Sequence, residues 1–157
     1  MGGRGSAGSG GKSEIIKTSN GQSINIAQYY SQLPSPVTYM EEFPALHGTP
    51  QEIAQAEKIR EQVNQAMQEH FSEAAYNMGS KSEMISYLKQ ETLNGARYGN
   101  IGFSARKVVA DFKADASAYK EYDRTMRISS AKEWIRRKSE LLNRAKTFRK
   151  DSGYHSI

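Results

Sequence analysis

Residues 130–150, SAKEWIRRKSELLNRAKTFRK, place Ala131, Trp134, Ile135, Leu141, Leu142, Ala145 and Phe148 on one side at about 100° per residue. Such a stripe commits this end of the chain to an amphipathic helix whose apolar side other elements must cover. Ser130 with Glu133 three residues on is a capping-box start, each side chain able to satisfy a backbone donor of the first turn. The same logic recurs upstream. Thr49-Pro50-Gln51-Glu52 opens a second helix with proline in the first turn, where its missing N–H costs nothing. Its stripe, Ile53, Ala56, Ile59, Val63, Met67, Phe71, Ala74 and Met78, predicts a run to Asn77 or Met78, stopped by Gly79. Ser80 and Glu83 open a shorter helix through Met84, Ile85, Leu88 and Leu93, ending near Asn94-Gly95, and Ser104 is the predicted cap of a fourth that carries Val108, Val109, Phe112, Ala116 and Tyr119.

Before the helices, Glu14 to Ala27 reads as two short strands around Asn20-Gly21, the pair that tolerates the positive φ of a tight turn. A lone hairpin is marginal, so Ile15, Ile16, Ile24 and Ile26 are expected to dock on the helices. Tyr29 to Pro44, with three prolines and four aromatic residues including Tyr39, is expected to be a crossing loop pinned by its rings. The expected fold is therefore mainly α, a small bundle of about four helices with an N-terminal β-hairpin. A chain of 157 residues suits one such domain over 14–150, between a flexible Gly/Ser-rich tail at 1–13 and a short tail at 151–157.

Charge points to a partner. The chain holds 22 Lys and Arg against 17 acids, for a net +5. From Arg124 to Lys150 there are ten cations (Arg124, Arg127, Lys132, Arg136, Arg137, Lys138, Arg144, Lys146, Arg149, Lys150) against two acids, Glu133 and Glu140. A nearly single-signed helix repels itself unless an anion is near, although lysines and arginines can also merely solvate a core helix. Residues 41–78 carry seven acids and two bases, so that helix can pack on the basic one and neutralise part of it. All ten cations except Lys138, which projects toward the apolar stripe, are candidate contacts to nucleic acid or a nucleoprotein. Arg97 and Tyr98, in the glycine-rich stretch Gly95 to Phe103, join them as a phosphate fork beside a stacking ring. The alternative there is a plain turn with Tyr98, Ile101 and Phe103 tucked into the core.

Catalytic and metal chemistry find no constellation. The absence of cysteine removes disulfides, thiolate zinc sites and cysteine nucleophiles. GSGGKS, at residues 8–13, resembles a phosphate-binding loop but lacks its glycine at Ser6 and a preceding strand. His47, His70 and His155 are scattered, with His70 expected in a packing role, and Asp111 with Asp115 reads as part of a solvated face among lysines. The expectation is a non-enzymatic protein with no metal, no cofactor and no membrane segment, located in the cytoplasm.

The opening MGGRGSAGSGG, ahead of a small basic cysteine-free helical chain, resembles phage and prophage-encoded proteins of Gram-positive bacteria. The rest of the chain resembles the small helical accessory proteins of mobile elements, among them anti-CRISPR inhibitors of Cas9. The resemblance implies a protein of the bacterial host cytoplasm that acts by binding, with an RNA-guided nuclease as one partner and an anti-defence role. The alternative is a virion assembly component making protein and DNA contacts.

Overall fold

The computed structural model describes residues 13–38, 40 and 42–148, so most of the Gly/Ser-rich tail, Tyr39, Arg149, Lys150 and the C-terminal tail lie outside the described residues. It is mainly helical, with one two-stranded antiparallel hairpin near the start. The chain falls into two compact units: the first holds residues up to Thr38 with Glu73–Lys113, the second Tyr39–Ser72 with everything from Ala114.

In the first unit, strands β1 (Ile15–Lys17) and β2 (Ser23–Asn25) pair in the register Ile15 with Asn25, Ile16 with Ile24 and Lys17 with Ser23. Thr18 N–H donates to Gln22 O at 2.8 Å, closing a three-residue loop in which Gly21 takes φ +93°, the conformation that favours glycine there. Of the four isoleucines expected to dock, Ile26 is fully buried and Ile16 and Ile24 partly so, but Ile15 stays exposed. A 3-10 segment, Ile26–Gln32, follows and buries Ile26, Ala27 and Tyr29. Glu14 is tied to Lys89 by an ion pair and accepts from Tyr30 Oη at 2.6 Å, and both contacts hold its carboxyl below the usual range. The first unit also contains the 3-10 turn Glu73–Asn77, helix α2 (Lys81–Ala96), and helix α3 (Ile101–Met126) as far as Lys113.

The second unit is built on α1 (Pro50–Gln68), against which both α4 (Ala131–Arg136) and α5 (Lys138–Lys146) pack. The Thr49–Glu52 capping box is fully formed, and Ala56, Ile59, Val63 and Met67 are the buried stripe. Trp134 is fully buried and its indole Nε1–H donates to Ile128 O at 2.8 Å. Phe71 anchors an aromatic cluster, its ring centroid 5.3 Å from Tyr119, 5.8 Å from Tyr122 and 5.4 Å from Phe148.

Three boundaries and the burial of two aspartates differ from the sequence reading. Helix α1 ends at Gln68 instead of continuing to Met78, because the carboxylate of buried Asp115 takes the Ser72 N–H (3.3 Å) and hydroxyl and draws the chain out of its helical path. Helix α3 begins at Ile101, not after Ser104: Asn100 caps it, its side-chain oxygen accepting from Phe103 N–H at 2.9 Å. The expected single helix 130–150 is broken at Arg137 (φ −98°, ψ 13°), so that Trp134 from one segment and Leu141 and Ala145 from the next are all buried. Asp111 and Asp115, expected on a solvated face, are 8% and 0% exposed. They lie in the same register as Phe112 and Tyr119, which α3 turns inward.

Candidate nucleic-acid interface

The cations of α4, α5 and the end of α3 mostly have acids of their own. Arg136 forms a two-pronged fork on Glu133 (3.0 and 2.8 Å) and Arg137 another on Glu140 (both 3.0 Å). These forks hold both carboxyls below the usual range and raise both guanidinium groups. Arg144 reaches Glu121 and, at 3.5 Å, Glu140; Arg124 meets Glu121 at 3.1 Å and Arg127 meets Asp123 at 2.8 Å. Glu121 and Asp123 stand just ahead of Arg124, so a count that starts at Arg124 misses them. Helix α1 packs on α4 and α5 through apolar residues, and none of the ion pairs among the described residues joins an α1 acid to the basic segment. Lys132 and Lys146 are exposed and carry no ion pair among the described residues.

Helix α3 carries the surplus that sequence counting overlooked. In the first unit its exposed residues are Phe103, Arg106, Lys107, Ala110 and Lys113; in the second they are Ser117, Lys120 and Arg124, with Arg127 just past the helix. None is acidic. The acids that balance these lysines in the sequence, Asp111 and Asp115, face inward. Lys107 lies 3.5 Å from Asp111, whereas Arg106, Lys113 and Lys120 have no ion pair among the described residues. The signal was present in the sequence as phase: Asp111 and Asp115 fall three and seven residues after Val108, on the helix side that Phe112 also marks.

The loop that carries Arg97 and Tyr98 is shorter than the glycine pattern implied. Gly95 and Ala96 finish α2 and Ile101 to Phe103 start α3, so only Arg97 to Asn100 connect them. Gly95 is required by packing: a Cβ there would sit 2.5 Å from Ser104 Oγ. Gln22, in the hairpin of the same unit, brackets the loop with its amide. Its Nε2 donates to Ala96 O and Gly99 O, each at 2.9 Å, and its Oε1 accepts from Ile101 N–H at 2.8 Å. Of the three residues that could have tucked into the core, only Ile101 does so; Tyr98 is 90% exposed and Phe103 51%. Both rings border a groove of about 380 Å³ whose lining includes Tyr87 and Lys107.

His47 is exposed and contributes its backbone, which bridges to the segment before α4 (His47 N–H to Ser129 O, 2.8 Å; Ala131 N–H to His47 O, 2.9 Å). Among the described residues, no group of three or more His, Asp or Glu side chains is placed to hold a metal ion, and no helix is long and apolar enough to cross a membrane. Comparison with protein-family models, with curated proteins and with solved structures finds no match to this chain.

Proposed function

We propose that this protein is a non-enzymatic binder of nucleic acid, free or within a nucleoprotein, and that the exposed cations of α3, with Arg97, make the phosphate contacts. The observation that carries this reading is that every exposed charged residue of α3 is basic, and that Arg106 and Lys113 in the first unit and Lys120 in the second have no ion pair among the described residues. An unpaired cation releases counterions from a phosphate backbone without first breaking an internal pair, whereas Arg136 and Arg137 must leave their glutamates. In the second unit Lys132 and Lys146 likewise have no ion pair among the described residues and add to the contacts that unit can make; the paired arginines are secondary. A mobile-element origin and an anti-defence role against an RNA-guided nuclease are the finer form of this proposal; the origin rests on the resemblance of the opening residues to phage proteins, and the role on the resemblance of the rest of the chain to small helical accessory proteins.

The test is a titration of labelled DNA and RNA with the full chain at about 50 and 200 mM salt. Several phosphate contacts should weaken binding on the order of a thousandfold over that range. Absence of binding at the lower salt, or an affinity indifferent to salt, overturns the reading.

A further inference from the structure

We propose that the groove beside Tyr98 takes an unpaired base of a single-stranded nucleic acid, so that the protein favours open strands over duplex. This rests on the functional reading above and adds what it does not contain, a site for the base itself. The groove's volume of about 380 Å³ lies in the range of small-ligand sites, roughly 300–1,000 Å³. Its rim is formed by two rings that the fold leaves in solvent, Tyr98 at 90% and Phe103 at 51% exposure. Tyr98 is not on a slack connector. The Gln22 amide fastens the residues on both sides of it, Asn100 caps the helix that follows, and so little ordering remains to oppose binding.

The charges flanking the rings fit a nucleotide. Lys107 lines the groove together with its ion-pair partner Asp111, while exposed Arg106 follows Phe103 by three residues and exposed Arg97 adjoins Tyr98, so cations flank the rings where a backbone would run from the stacked base. Base-on-ring stacking tolerates any sequence, but it needs a base whose face is open, which a duplex does not offer. Glu91 also lines the groove and provides an acceptor for the amino edge of a base.

Fluorescence anisotropy with the full chain at low salt separates the possibilities, using a short labelled single strand, an abasic strand of equal length, and the matching duplex. The intact strand should bind at least about tenfold tighter than the abasic strand, the scale of one stacked base. Tyr98→Ala and Phe103→Ala should each shrink that ratio toward one without lowering the melting temperature, and Tyr98→Phe should preserve it. Equal binding of intact and abasic strands overturns the base site and leaves the phosphate reading standing, as does duplex binding as tight as single-strand binding. An intact ratio in Tyr98→Ala likewise overturns it. If no strand binds, the functional reading itself falls, and the base site with it.

Discussion

Trp134 and Tyr98 put an aromatic ring to opposite uses. Trp134 is fully buried with its one polar atom bonded to Ile128 O, so Trp134→Ala should cost about 3–5 kcal/mol in a denaturant melt. Tyr98, 90% exposed, should change stability by less than about 0.5 kcal/mol when truncated, and any loss of binding is then attributable to the contact itself. Asp115 is buried because it accepts from the backbone and hydroxyl of Ser72. Asp115→Ala removes that acceptor and should destabilise by roughly 1–3 kcal/mol plus the cavity it opens. Gln22→Ala should act locally: with the bracket gone, the Ile101 amide loses its acceptor and its hydrogen exchange should speed up, while exchange in α1 stays unchanged.

At the scale of elements, the features legible in the sequence are those decided within a few residues. Thr49, Ser80 and Ser130 each accept from the backbone N–H three positions on, and Asn20-Gly21 turns the hairpin, because cap and turn chemistry is local. Boundaries set by distant residues were not legible. The end of α1 depends on Asp115, 43 residues beyond Ser72, and nothing within α1 announces it. For the candidate site, Arg97 and Tyr98 could be read from residue type in a glycine-rich stretch, but the basic side of α3 was hidden by counting Asp111 and Asp115 as solvated. The pairing of Arg124, Arg127 and Arg144 was not legible from their own segment, because their partners Glu121 and Asp123 lie just ahead of it. Their pairing gives a pH test with a defined sign. The carboxyls of Glu133 and Glu140 are lowered by their arginines, so the contribution of the forks is complete above the ordinary glutamate range and is lost as pH falls through the lowered values. Glu133→Gln with Glu140→Gln should remove that part of the acid-side dependence of the melting temperature. At neutral pH the same variant should bind DNA more tightly, since it releases Arg136 and Arg137.

Over the whole molecule a net charge of +5 is modest, and what distinguishes the chain is where its acids go. Two of them are inside with α3's core residues, and others are committed to forks on α4 and α5, which leaves Arg106, Lys113 and Lys120 on α3 without an ion pair among the described residues. The central claim is that these unpaired cations, more than the paired arginines of the C-terminal segment, meet phosphate. The slope of log affinity against log salt measures it, since each phosphate contact to duplex DNA contributes about 0.9 to that slope. Replacing Arg106, Lys113 and Lys120 by glutamine should flatten the slope by about 2 to 3, whereas Arg136→Gln with Arg137→Gln should leave it nearly as steep as in the native chain. A native slope in the α3 variant, or a larger loss in the Arg136 and Arg137 variant, would contradict the account.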